Sequence, residues 1–375
     1  MDIDAPLPLL GGLSPARFMQ RHWQRKPLLV RGAIPGIAPL LDRDAIRALA
    51  ARDDVESRIV EHGEADAWKL RRGPFGPRGL PAFSRPRWTV LLQGLDLHLD
   101  TAHALLRQFR FIPDARLDDV MVSHATDGGG VGPHFDSYDV FLLQVQGQRR
   151  WRWGRQRDLQ LREDVPLKIL ERFEPEHEAV LEPGDMLYLP PRYAHDGVAE
   201  GECQTCSIGF RAPARAELAR ELLQRIADHA EDDEPRLYAD AGQPALARSA
   251  QVPAALQAFA VDAVRRALDE PGALEQSLGE TLTEPKANVV FTGGRAPRRG
   301  QGIVLDRRTR MLYDDRHVFV NGESWRAGGA DARLMRKLAD DRGLSAADLA
   351  RASDDARELL ASWCEAGWAH GGGER

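Results

Sequence analysis

Cysteine is scarce: three residues in a chain of 375. That excludes a disulfide framework and fits a reducing compartment, read here as the cytoplasm. Long apolar runs are missing too, so no membrane span is expected, and "MDIDAPLPLLGGLS" lacks the basic start and apolar core of a signal peptide. An excess of positive charge is also absent. The formal net charge is -6, which argues against nucleic-acid binding through the whole surface and leaves a basic protein partner open. There is no internal repeat and no long low-complexity tract. Cys203 and Cys206 form a single C-x-x-C with no second ligand pair at similar spacing, and residues three apart on a strand face opposite ways. They read as small apolar strand residues.

What remains is an ordinary globular composition, 43% hydrophobic and 29% charged, long enough for two or three domains. "LSPARFMQRHWQRKPLLVRGA" predicts a helix capped by Ser14 with Pro15 in its first turn, ended by Lys26-Pro27, then a strand at "LLVRG". From residue 80 to 212 short apolar or alternating runs are separated by glycine and proline ("RWTVLLQGL", "VMVSHA", "DVFLLQVQGQRRWRWG", "EAVLEPGDMLYLPP", "QTCSIGFRAP"). They predict an antiparallel β-sandwich or barrel. Helical spacing then takes over to about residue 280, with 7 basic and 13 acidic side chains between 213 and 280. Its apolar positions need cover, which a dimer interface would provide. After residue 285 a small ribbon with an Asn321-Gly322 turn precedes three short helices, a winged-helix-like pattern. Its 16 basic and 14 acidic residues (281–375) make a poor phosphate-binding face, so protein contact or packing is expected rather than DNA binding.

The chemistry-bearing residues begin at "GPHFDSYDVFLLQVQGQRRW". Residues i and i+2 of a strand share a face, so His134 and Asp136 point the same way. Alone, His-x-Asp is a common triplet. Some 60 residues on, Gly184, Pro190 and His195 in "LEPGDMLYLPPRYAHDGVA" stand in the spacing G-x5-P-x4-H, the second conserved pattern of cupin barrels. Two ligands from one strand and a third from a strand across the barrel give a two-histidine, one-carboxylate facial triad, the ligand set of non-haem Fe(II) oxygenases. Arg149 lies at the far end of the apolar run. Buried there, it needs an anion, and the distal carboxylate of 2-oxoglutarate is a bidentate fit, with Ser123 as a second donor. Arg150 should face the other way. A structural ion pair at Arg149 stays open, as does an unrelated role for Ser123.

Together "PHFDSYDVFLLQVQGQRRW", "PGDMLYLPPRYAHDGVA" and "HWQRKPLLVRGA" closely resemble the bacterial ribosomal oxygenases, JmjC-type members of the cupin superfamily, over nearly the whole chain. The resemblance implies an α+β fold in three parts. These are a double-stranded β-helix (jelly-roll, cupin/JmjC) catalytic barrel at 1–212, a helical dimerisation region at 213–282 and a winged-helix-like domain at 283–375. It implies Fe(II) on His134, Asp136 and His195, 2-oxoglutarate on Arg149 with Ser123, and O2 as the second cosubstrate. The implied activity is hydroxylation of an arginine in the sixteenth protein of the large ribosomal subunit. A carboxylate at Asp136, where related halogenases carry a small residue, favours hydroxylation. Asp127 in "ATDGGGVGPH" is the expected guanidinium partner, beside glycines that would let a peptide approach. A solvated Asp127 in a surface turn is the alternative, and His124 reads as a strand histidine rather than a ligand. Other targets of the same chemistry (a histidine, a methylated lysine, a tRNA base) stay open, as does a non-catalytic metal-bound cupin that docks partners.

Overall fold

The apolar run that follows Asp139 becomes one of two strands on which the N-terminal unit is built. In the computed structural model, which describes residues 2–229, 236–245, 248–298 and 300–372, the chain divides into two units between Ala212 and Pro213. Strands are numbered in chain order. The long pair is β7 (Val140–Arg155) and β10 (Tyr193–Phe210), antiparallel from Tyr193↔Arg155 to Gly209↔Val140 with a register shift between Glu200 and Thr205. Each changes partners along its length. The first half of β7 pairs with β9 (Met186–Leu189) and the second with β8 (His177–Leu181). The first residues of β10 pair with β6 (His134–Phe135), and its later half with β5 (Leu117–Ala125). Two layers that share β7 and β10 therefore face different partners, the arrangement of a double-stranded β-helix.

β9 is flanked by β1 (Leu28–Val30), and β5 by β4 (Trp88–Leu92), β2 (Ser57–His62) and the edge strand β3 (Trp68–Arg72). β2 and β3 lie upstream of the region where strands were expected. β3 carries Lys69, Arg71 and Arg72 and is largely exposed, which blunts a sheet edge and dilutes its strand signal. Among the described residues the unit also has three α-helices, α1 (Pro15–Arg21), α2 (Arg43–Ala50) and α3 (Asp100–Arg107), with short 3-10 turns between elements.

The alternation on β7 explains why both of its faces are apolar. Phe141, Leu143 and Val145 join Phe18, Phe109, Tyr188 and Phe210 in the core under the N-terminal helices. Val140, Leu142, Trp151 and Trp153 pack with Leu181, Leu187 and Leu189 on the other face. Ser14 caps α1 as expected, accepting from Arg17 N. The helix ends at Arg21, however, well before Lys26-Pro27. The reason is tertiary: Gln24 turns into the left-handed region, its N–H donates to Tyr188 Oη (2.8 Å) and its amide to the buried Asp139 (3.0 Å). Tyr188 Oη also donates to Asp139 (2.6 Å).

The second unit opens with α4 (Arg215–His229), α5 (Ala254–Asp269) and α6 (Ala273–Thr283). The acidic stretch at 230–234 of the expected helical region lies outside the described residues. α5 has no buried residue, and Leu223, Leu256, Val261, Val264, Leu274 and Leu278 on the three helices are exposed. Two three-stranded sheets follow. One is ordered β15 (Gly343–Leu344), β11 (Ile303–Leu305), β16 (Ala369–Gly371); the other is β12 (Met311–Tyr313), β13 (His317–Val320), β14 (Glu323–Arg326). Asn321 and Gly322 make the β13–β14 turn with φ of 51° and 90°, as Asn-Gly hairpins do. α7 (Gly329–Asp341), α8 (Ala346–Leu349) and α9 (Asp354–Glu365) supply the three short helices. α6, assigned by sequence to the helical region, packs on the ribbon: Ser324 Oγ donates to Glu280 (2.6 Å), and a Cβ at Gly279 would stand 2.4 Å from the Phe319 ring.

Candidate metal centre and active site

β6 places His134 directly opposite His195 on β10, ring centroids 4.3 Å apart. The third ligand strand thus lies beside the first rather than across the barrel. Asp136 follows just past the end of β6, where its carbonyl accepts from Arg192 N (2.8 Å), and its Oδ2 is 3.7 Å from His195 Nε2. One ligand atom from each of the three residues lies within 4.8 Å of the others. His134 Nδ1 lies 2.9 Å from Gly132 O and His195 Nδ1 lies 3.0 Å from Tyr193 O. A carbonyl can only accept, so each ring carries a proton on Nδ1, which in the neutral imidazole leaves the lone pair on Nε2. Burial lowers the His195 pKa to about 4, with the neighbouring His134 adding to the effect, and keeps that ring neutral. Two oriented imidazole lone pairs and one carboxylate are a fitting donor set for a divalent transition metal.

Arg149 is 4% exposed. Its Nη1 donates to Ser123 Oγ at 3.0 Å, while Nε and Nη2 are buried with no hydrogen-bond partner among the described residues. The structural ion pair that was the alternative is not made there. A buried guanidinium with two unanswered donors is costly unless an anion completes it. Trp151, next on the same face of β7, packs on Gly197 of β10, where a Cβ would stand 2.6 Å from the indole. Its ring lies 5.8 Å from Arg149 Cζ and 5.9 Å from the His195 ring. Arg150 faces the surface, as expected, on Glu178 and Glu200.

His134, Asp136, His195, Arg149 and Ser123 line one cavity of about 440 Å³. Asp127 is not among its lining residues. It is exposed, and its Oδ1 accepts from Gly201 N (2.8 Å), which corrects the expected guanidinium partner. The neighbouring glycines do not open a path for a peptide either. Cβ atoms at Gly129 and Gly130 would stand 2.5 Å from Trp88 O and 2.6 Å from Gly197 O, so their smallness serves close backbone packing. Besides Asp136, two acids line the cavity: the buried Asp119, which accepts from Gln93 and Gly94, and Asp118, its side chain 38% exposed and its Oδ1 3.6 Å from Arg211 Nε. Tyr138 and Lys168 line it too. Tyr138 was within reach of the sequence, since it stands two residues beyond Asp136; nothing local marks Asp118 or Lys168. His124 is no ligand. It is buried against Phe83 with Glu202 3.3 Å away, and burial lowers its pKa to about 4. Cys203 and Cys206 are buried thiols.

A double-stranded β-helix with a His-Asp-His cluster at one end and an unpaired arginine within has the architecture of the JmjC class, and residues 104–218 match the JmjC domain family. Residues 265–370 match the ROXA-like winged helix family. The chain is 32% identical over 321 residues to the ribosomal protein uL16 3-hydroxylase of Escherichia coli strain K12, covering 82% of this chain and 84% of that one. It is 28% identical to a probable ribosomal oxygenase of Haemophilus influenzae, over 95% and 96% of the two chains. Among solved structures, Escherichia coli YcfD, a ribosomal oxygenase in complex with cobalt and 2-oxoglutarate, superposes with a TM-score of 0.79 at 28% identity, covering 96% of this chain and 98% of that one. The chain belongs to the JmjC-type bacterial ribosomal oxygenases.

Proposed function

We propose that this chain is an Fe(II)- and 2-oxoglutarate-dependent oxygenase that hydroxylates an arginine side chain of uL16, the sixteenth large-subunit ribosomal protein. The observation that carries the reading is Arg149, a buried guanidinium with two unpaired N–H donors inside a cavity whose other wall holds three metal-ligating side chains. A dicarboxylate with a metal-chelating end answers both ends at once. His134, Asp136 and His195 would hold the iron. Iron and 2-oxoglutarate together supply the chemistry: O2 is reduced, the cosubstrate loses carbon dioxide to become succinate, and one oxygen atom enters a substrate C–H bond.

The chain's own residues do the placing. Gly132 and Tyr193 carbonyls hold the two imidazoles in the ligating tautomer. Arg149 takes the distal carboxylate as a charge-assisted pair, steadied by Ser123. Trp151, its ring near both Arg149 and His195, and Leu142 give the cavity an apolar lining. Along the cavity, Asp118, whose Oδ1 already lies 3.6 Å from Arg211, and the 40% exposed Tyr138 offer a carboxylate and a flat ring to a substrate guanidinium. The name of the 32% identical relative supports uL16 as the target protein. The exposed apolar residues of α4, α5 and α6 suit pairing with a second copy of the chain, and the site of action is the cytoplasm, where ribosomal proteins are made.

The test is to incubate the purified chain with Fe(II), 2-oxoglutarate, O2 and ribosomal subunits and weigh every ribosomal protein. A gain of one oxygen on uL16 is expected. The gain on another component, including tRNA, would reassign the target. Absence of succinate under every condition would leave a metal-bound docking module.

A further inference from the structure

A second cavity lies outside the barrel. It lies within the second unit, about 600 Å³, between α7, α9 and the β13–β14 ribbon. That volume is in the range of small-ligand and side-chain pockets. Trp325 and Trp363 form an aromatic floor, their rings 5.2 Å apart at 64°, with Met335 beside them. Trp363 is 1% exposed, and its indole N–H has no acceptor among the described residues. Asp331, Asp355 and Glu358 stand along the same cavity against a single base, Arg326. On α9 the available arginine, Arg357, is committed to Asp354, and Asp355 and Glu358 have no ion pair among the described residues.

These features ask for three things at once: an acceptor for the indole N–H, an aliphatic or planar stem to lie on tryptophan, and a cation for the carboxylates. A backbone carbonyl with a lysine or arginine side chain supplies all three. A phosphate backbone supplies none but the acceptor, and meets a surplus of negative charge. We propose that this groove docks a basic peptide segment, with one cationic side chain over Trp325 facing Asp331, Asp355 and Glu358, and a peptide carbonyl on Trp363 Nε1. The site would give the winged-helix fold a protein-binding task independent of the barrel's chemistry.

The experiment is 19F NMR of the full chain labelled with 5-fluorotryptophan, resonances assigned by single Trp→Phe variants. The probe is an acetylated, amidated Gly-Leu-Arg-Gly-Leu-Arg-Gly peptide, beside the same peptide with citrulline for arginine and a short duplex DNA. The Trp325 and Trp363 resonances should shift saturably with the arginine peptide and stay fixed with the citrulline peptide and the DNA. Exchanging Asp355→Asn and Glu358→Gln together, both exposed on α9, should weaken binding about fivefold or more with resonance dispersion unchanged. Immobile Trp325 and Trp363 signals, a shift confined to Trp151, an equal response to citrulline, or a response to DNA would each overturn the proposal. None of these readouts depends on succinate formation, so the outcome is separable from that of the barrel's activity.

Discussion

Arg149 Nη1 donates to Ser123 Oγ across 3.0 Å, and this is the only hydrogen bond the buried guanidinium makes with its side chain among the described residues. On the proposed reading the pair is one half of a clamp whose other half is the distal carboxylate of 2-oxoglutarate. Arg149→Lys keeps the charge and loses the fork, and should raise the KM for 2-oxoglutarate by about tenfold or more. Ser123→Ala should raise it by roughly two- to fivefold, the worth of one neutral hydrogen bond. Succinate formation against 2-oxoglutarate concentration checks both, and an unchanged KM in Arg149→Lys would remove the clamp from the site.

His134→Ala and Asp136→Ala each delete one donor at the open end of the barrel while leaving its apolar core intact. Turnover should be abolished and anaerobic Fe(II) affinity should fall at least about tenfold, with the far-ultraviolet circular dichroism unchanged. Equilibrium dialysis against Fe(II) measures the affinity. Near wild-type turnover in either variant would break the triad.

Gly197 is where β10 makes room for Trp151. Gly197→Ala places a methyl within 2.6–2.8 Å of three indole atoms, so ring or strand must move. A loss of about 1–3 kcal/mol is expected from such overpacking. Urea denaturation followed by circular dichroism reads it, and an unchanged midpoint would show that the indole shifts freely.

His124 gives the barrel an acid-sensitive component. Its folded pKa is lowered to about 4 by burial, against about 6.5 unfolded. The folded state binds fewer protons in that interval, so the contribution is fully present above about pH 6.5 and is lost as the pH falls towards 4. Linkage at roughly 1.4 kcal/mol per pKa unit bounds the loss at about 3.5 kcal/mol. Urea midpoints of the metal-free protein should drop between pH 7 and 4.5, and less steeply in His124→Gln. Parallel curves for the two proteins would assign the acid sensitivity elsewhere.

Period-two reasoning made the site legible at its most regular parts. Arg149 against Arg150 follows from strand geometry, and His134-x-Asp136 and the G-x5-P-x4-H stretch ending at His195 are local patterns, although β6 ends at Phe135 and Asp136 lies just beyond it. What local pattern does not encode is which strands become neighbours. His195 falls beside His134 because β10 pairs with β6, and Asp118 reaches the cavity from the start of β5 because β5 pairs with the later half of β10. Asp127 misled for the converse reason: adjacency to the metal strand does not place a side chain in the cavity when a nearby N–H, Gly201, claims it. The early end of α1 belongs to the same class, since Gln24 is drawn off helical geometry by Tyr188 and Asp139, more than a hundred residues away.

Tandem mass spectrometry of purified uL16, after incubation with the wild-type chain or Asp136→Ala under Fe(II), 2-oxoglutarate and air, tests the central claim most directly. The account predicts one added oxygen on a fragment containing an arginine side chain, with succinate formed alongside, and neither product with Asp136→Ala. An added oxygen located on another residue type, or succinate formed with uL16 unmodified, would contradict it.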